Sequence, residues 1–273
     1  MNLYIMTRGR VGKQHTLSRL PEKWKARTWL VVPRSELSQH DYFQVMAAPE
    51  YVTNYSQKFQ WLLNGEGFMD WEKCVILDDD LVFSRKMTDG KLVTVKDPEE
   101  LNELFDYMEQ LLNVYPLVGV HPRQMGQNAP QPFVKNGRII CMQGINRRLV
   151  GKVKVDQFPI LADVVLNCTL LSRGKENAII TTFFQDHGPC QAQGGCSIYR
   201  TSEMQTQAVE YIAHRFGPHA RVVARNTKDK WLANEQGIRY DYTCQWKRLQ
   251  AAGAAHLLDP GKVPHPDRES AWG

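Results

Sequence analysis

The sequence has no C-x-x-C pair, no internal repeat and no apolar run approaching membrane-spanning length. Each absence excludes something. A chain without such a run offers no spanning helix. Six cysteines, Cys74, Cys141, Cys168, Cys190, Cys196 and Cys244, are scattered singly, against the paired spacing of zinc ribbons and thiol oxidoreductases. Cys190 and Cys196 could join His187 as zinc ligands, but their spacing is irregular. The first residues show no charged-then-apolar leader, so the expectation is a cytoplasmic chain with reduced thiols. Charge of one sign is also scarce in excess. The formal net charge of +5 favours acidic partners without demanding one.

What is present is the composition of an ordinary soluble globular protein: 42% hydrophobic and 23% charged over 273 residues. That length suits one large α/β domain or two small ones.

The most informative stretch is Val75 to Phe83, where Asp78, Asp79 and Asp80 interrupt an apolar run. Branched apolar residues in a short run read as a buried strand, and the acids fall where it would emerge. Packing three carboxylates together costs repulsion and desolvation. A divalent cation, Mn²⁺ or Mg²⁺, offsets that cost. Strand alternation would let Asp78 and Asp80 point together while Asp79 points away. A solvated acidic turn is the plain alternative, but the flanking VIL and LVF argue against it. Asp78 to Val82 also fit the D-x-D-x-V nucleophile motif of haloacid-dehalogenase-like phosphatases. That chemistry needs a later acidic pair, and no second Asp-Asp pair occurs.

The rest of the chain alternates strand and helix signals. Leu3 to Met6 reads as a first strand ending in Thr7-Arg8-Gly9-Arg10, a place where open α/β sheets bind ligands. Thr28 to Pro33 and Tyr42 to Ala47 read as further strands. Asn54 to Leu63 reads as a capped helix ended by Gly65, with Lys58 and Trp61 off its apolar stripe. Asp97-Pro98-Glu99-Glu100 is a helix start, and Leu101 to Leu112 keep helical spacing. Leu117 to Val120 predicts a strand closing on His121-Pro122-Arg123, followed by a polar loop over 124–132. Ile139 to Gln143 predicts another strand. Asp163 opens a helical pattern, where an N-terminal cap is the default role. Ile179 to Phe184 is a strand leading to His187. Gln193 to Thr201 reads as a glycine turn and short strand, with Ser202 capping the next helix. Between Arg221 and Arg248, bases interleave with aromatics: Arg225, Lys230, Trp231 and Trp246 suit phosphate contacts and base stacking. A solvated basic face explains the same composition.

Taken together, the Asp78-Asp79-Asp80 strand, Leu161-Ala162-Asp163 before a helix, and His187 resemble a GT-A-type nucleotide-sugar glycosyltransferase. The triplet is similar to that fold's D-x-D motif, and Leu161 to Asp163 to its x-E-D segment, with Ala162 in place of the Glu. The Thr-Arg-Gly opening and Gly-Gly-Cys-x-x-Tyr-Arg-Thr stretch resemble phage glycosyltransferases associated with TET/JBP-type hydroxylases. The likeness covers roughly residues 2–216.

The resemblance implies a GT-A-like, Rossmann-like mixed sheet flanked by helices over residues 1–220. A basic, aromatic segment over 221–250 would pack on it, with an extended tail over 251–273. It implies a UDP-sugar donor, a divalent cation and inverting transfer to a hydroxymethylated pyrimidine such as 5-hydroxymethylcytosine in DNA, in a bacteriophage host's cytoplasm. Asp163 would be the catalytic base. Thr7, Arg8, Arg10, Lys58, Asp78 and Asp79 would bind the nucleotide-sugar, and Asp80, Asp78 and His187 the metal. Arg123, Arg225, Lys230, Trp231 and Trp246 would meet DNA. No membrane and no obligate protein partner is expected. The alternatives are a saccharide or protein acceptor, or a non-enzymatic nucleic-acid-binding module that leaves the aspartates unexplained.

Overall fold

Both faces of the central strands are apolar, which demands helices on both sides of the sheet. The computed structural model describes residues 1–65, 71–125, 129–187, 194–227 and 233–258, and it meets that demand. Its strands are β1 (Asn2–Met6), β2 (Thr28–Pro33), β3 (Val45–Ala48), β4 (Lys73–Asp78), β5 (Leu81–Lys86), β6 (Leu92–Thr94), β7 (Leu117–Pro122), β8 (Phe133–Lys135), β9 (Met142–Asn146), β10 (Ala178–His187), β11 (Ala220–Asn226) and β12 (Ile238–Cys244). Its α-helices are α1 (His15–Ser18), α2 (Glu22–Lys25), α3 (Tyr55–Asn64), α4 (Leu101–Leu111), α5 (Arg147–Val150), α6 (Ala162–Ser172), α7 (Ser202–Phe216) and α8 (Trp246–Leu258).

The pleat divides each strand between two cores. Leu3 and Ile5 of β1, with Val75 and Leu77 of β4, pack against Trp24 of α2 and Leu104, Phe105 and Met108 of α4. Tyr4, Met6, Cys74 and Ile76 face the opposite core, with Phe59 and Leu62 of α3, Val165 of α6 and Ile212 of α7.

The large sheet has the order β3-β2-β1-β4-β9-β7-β10-β5-β6, with β8 paired to β10. Strands β3, β2, β1 and β4 run parallel. β9 is antiparallel to both β4 and β7, and β5 is antiparallel to β10. The fold is therefore the expected α/β mixed, Rossmann-like sheet flanked by helices. From β1 the chain winds outward to β3, then returns to add β4 on β1's other side. Ligands in open α/β sheets bind at such a reversal, beyond the carboxyl ends of the strands.

Local signals explain many boundaries. Asn54 accepts from the Gln57 N–H at 3.0 Å to start α3, and Asp97 accepts from the Glu99 N–H at 3.0 Å ahead of α4. Several boundaries differ from expectation. The third strand begins at Val45. β9 begins at Met142 because Cys141 adopts φ 62°, which bends the chain ahead of it. Gly195–Ile198 forms a single 3₁₀ turn in place of a strand. Thr201, one residue before Ser202, caps α7 by accepting from the Met204 N–H at 3.1 Å.

At the C-terminal side, β11 and β12 form a separate two-stranded sheet against α7, and α8 packs on α6. A Cβ on Gly253 would lie 2.3 Å from the Ser172 carbonyl oxygen, so glycine sets how closely those helices approach. Residues 251–258, expected to be extended, continue α8. No helix among the described residues is long and apolar enough to cross a membrane.

Candidate active site at the β1–β4 reversal

The loop after β1 is fixed from beneath. Lys58 of α3, expected off the apolar stripe near a nucleotide, is buried instead. Its ammonium donates to the Thr7 carbonyl at 2.9 Å and the Val31 carbonyl at 3.3 Å. Burial, with the like charge of Arg8, brings that ammonium down to about 8. Trp61 is core as well. Gln14 donates to the Thr7 hydroxyl at 3.1 Å and the Arg10 carbonyl at 2.9 Å. The Gly9 N–H donates to the Glu36 carboxylate at 2.9 Å. Arg8 donates to the Thr53 carbonyl and lies 5.8 Å from the Tyr199 ring centroid.

Asp78 ends β4, while Asp79 and Asp80 form the turn into β5. Thr16 of α1 clamps that turn. Its hydroxyl donates to the Asp78 carbonyl at 2.6 Å and accepts from the Leu81 N–H at 2.8 Å, and its own N–H donates to the Asp79 carbonyl at 3.0 Å. A turn, not strand alternation, therefore aims the acids. Asp79 takes the Thr7 hydroxyl and Arg10, and Arg10 also reaches Asp80 at 2.9 Å. Asp78 takes the Cys141 thiol. Burial raises Asp78 well above the usual carboxylate range, and the charges of Asp80, Asp163 and Asp79 push the same way.

Asp163 lies in the first turn of α6, and Leu161 occupies the capping position with φ 66°. Asp163 therefore lies inside the helix rather than at its capping position, and no side chain of the capping residue bonds the first turn. Burial raises its carboxyl, while the Val164 N–H, Arg138 and Arg200 hold it down. Among the described residues, three non-glycine residues adopt left-handed backbone, Asn136, Cys141 and Leu161. Two of them flank the acids: Cys141 bonds Asp78, and Leu161 precedes Asp163. Strained backbone held in place beside reactive groups is a recurring feature of functional sites.

The residues beside this cluster fit a divalent cation in part. Asp79 Oδ2 is buried and accepts no hydrogen bond, and Asp78 and Asp80 share one electrostatic neighbourhood. One or two carboxylates plus substrate phosphates suffice for Mg²⁺-type binding. His187, expected as a further ligand, is exposed at the end of β10, in register with Leu81. No three His, Cys, Asp or Glu side chains among the described residues group as a metal cluster.

The expected acceptor residues are spread wider. Arg123 follows β7, half-buried, its N–H donating to the Gln185 carbonyl at 2.7 Å. Arg221, Arg225 and Arg239 share one face of the β11–β12 hairpin with Asp241. Asp241 pairs with Arg239 at 3.1 Å and with Arg225 at 3.8 Å. Trp246, expected to stack on bases, stands edge-on to buried Tyr242, with centroids 6.3 Å apart. Lys230, Trp231 and Cys190 lie outside the described residues.

Thr16, Arg138, Cys141 and Tyr199 also stand at this site, and the sequence assigns none of them a role there. Tyr199 accepts from the Tyr55 N–H at 2.8 Å, tying the 194–201 segment to α3. Nothing local marks Thr16 or Arg138. Cys141 could have been suspected only by knowing that β9 pairs with β4.

No protein-family model matches the chain, and no curated protein sequence does. Among solved structures, it is similar to CMP:2-keto-3-deoxy-manno-octonic acid synthetase complexed with CTP: TM-score 0.38, 12% identity, covering 66% of this chain and 88% of that one. It is also similar to the inositol-1-phosphate CTP transferase from T. maritima: TM-score 0.38, 11% identity, covering 70% of this chain and 91% of that one.

Proposed function

We propose that the protein is a glycosyltransferase that moves a sugar from a UDP-sugar to a hydroxyl acceptor with inversion. The observation that carries this is the meeting of two loops at the β1–β4 reversal, Thr7 to Arg10 and Asp78 to Asp80, with Asp163 facing them from α6. A nucleoside diphosphate has the right chemistry for that crevice. The cationic charge of Arg8 beside the crevice suits its phosphates, and the carboxylates suit ribose hydroxyls or a bridging cation.

Asp80 and Asp78 would hold a divalent cation, which when bound neutralises charge on the departing diphosphate. Asp163 takes the proton from the acceptor hydroxyl. The freed oxygen pair forms a bond to the anomeric carbon as that carbon's bond to the diphosphate oxygen breaks on the opposite side. UDP leaves with the bonding electrons. Arg138 and Arg200 favour the ionised form of Asp163, against the burial that raises it.

The acceptor we favour is a hydroxymethylated pyrimidine in DNA, flipped out or single-stranded. Support for a polyanion comes from Arg221, Arg225 and Arg239 on one hairpin face, partly offset by Asp241. Residues 221–250 would form this accessory platform beside a transferase unit over 1–220. The test is a panel of UDP-sugars incubated with oligonucleotides containing hydroxymethylcytosine or hydroxymethyluracil, read by mass. One added sugar residue per modified base is expected. Donor consumption with saccharide acceptors and none with DNA would replace the acceptor, and no donor consumption at all would end the proposal.

A further inference from the structure

Arg10 is held as a cation inside the aspartate turn. Its carbonyl accepts from the Lys13 N–H at 3.0 Å and from Gln14 at 2.9 Å, which pins the backbone. Its side chain is only 11% exposed and reaches Asp79, 6% exposed, and Asp80, 18% exposed. Gly194 makes that reach possible. It has φ 103°, and a Cβ there would lie 2.6 Å from Arg10 Cγ and 3.0 Å from its Nε. The Gly195 N–H donates to the Arg8 carbonyl at 2.8 Å, fastening the glycine pair over the same loop. A guanidinium this enclosed is little screened by salt.

We propose that Arg10 is the aspartate turn's own cation in the free protein, and that a divalent ion must displace it from Asp80 in order to bind. This rests on the crevice being a nucleotide-diphosphate site, where such an ion would be wanted. Asp79 is the deeper partner and keeps Arg10. Asp80 is the more accessible, and there the two cations compete. Because one carboxylate oxygen pair serves both, the free protein binds the ion weakly. With no ion present, Arg10 still offsets part of the turn's negative charge.

The experiment is Mn²⁺ titration of the nucleotide-free full chain, followed by electron paramagnetic resonance of the free ion. Arg10→Gln is expected to bind Mn²⁺ more tightly than the native chain by about tenfold or more. Lys13→Ala, which removes an exposed cation from the same loop, is the charge control and is expected to leave the affinity as it is. In parallel, Mn²⁺ is expected to raise the unfolding midpoint of Arg10→Gln more than that of the native chain, a readout that survives partial destabilisation. Equal or weaker Mn²⁺ binding by Arg10→Gln overturns the proposal, as does equal tightening in Lys13→Ala. Failure of UDP to bind either form would remove the glycosyltransferase function and leave the competition standing. UDP binding with no Arg10 effect on Mn²⁺ would do the reverse.

Discussion

Asp78, at the end of β4, and Asp163, in the first turn of α6, lie within each other's electrostatic reach although 85 positions separate them in the chain. Burial is the larger cause of the raised Asp78 carboxyl, and repulsion from Asp80 and Asp163 adds to it. The two acids come from different elements that meet at one edge of the sheet, and several consequences can be measured.

Asp163→Asn is expected to retain UDP-sugar binding and to lose transfer by about 100-fold or more, the usual worth of a positioned general base. Calorimetric binding and turnover separate the two effects. Turnover equal to the native enzyme's would remove Asp163 as the base.

The pH profile should carry the same signature. In the proposed mechanism Asp163 acts only when ionised, and burial places its carboxyl above the ordinary carboxylate value. Activity is therefore expected to rise with pH through that elevated value. Arg138 pulls the carboxyl down, so Arg138→Ala is expected to move the acidic limb of kcat/KM to higher pH. A limb that stays in place would show that Arg138 does not act on the base.

Asp78 predicts a stability effect of unusual sign. Its folded value lies above the unfolded one, so the folded state binds the proton more tightly. Stability is then lost as pH rises from the ordinary carboxylate range through the raised value, and the whole penalty is present once Asp78 is ionised. Asp78→Asn is expected to stabilise the metal-free protein at neutral pH. Urea unfolding in chelator reads this directly, and the gain should shrink as the pH is lowered. Destabilisation at neutral pH would contradict it.

Thr16→Val removes the hydroxyl that bridges the Asp78 carbonyl and the Leu81 N–H. Two backbone groups in a buried turn lose their partner, at a cost of about 1–3 kcal/mol. The same variant is expected to weaken UDP binding, because the turn that aims Asp80 loosens. Unfolding and binding measured on one sample check both.

Much of this fold was legible in the sequence for a simple reason. A doubly covered sheet needs continuous apolar strands, and Thr28 to Pro33 and Val75 to Leu77 state that pattern locally. Caps such as Asn54 and Asp97 act within three residues and were readable for the same reason. The aspartate turn announced itself because acids inside an apolar run have no packing rationale. Residues that act across the fold were not readable. Lys58 looks amphipathic in its helix, yet it reaches the Thr7 carbonyl from 51 positions away. Cys141 and Arg138 matter through pairing of β9 with β4 and through the position of α6. Half-buried Trp246 spends part of its ring on an edge-on contact with Tyr242 that no local pattern announces.

The central claim is that a uridine diphosphate lies between the ends of β1 and β4. Crystals soaked with UDP and Mn²⁺ test it most directly. The expected result is density for the diphosphate between the Thr7–Arg10 loop and the aspartate turn, with the metal on Asp80. UDP bound at another edge of the sheet, or that crevice left empty at saturating UDP, would contradict it.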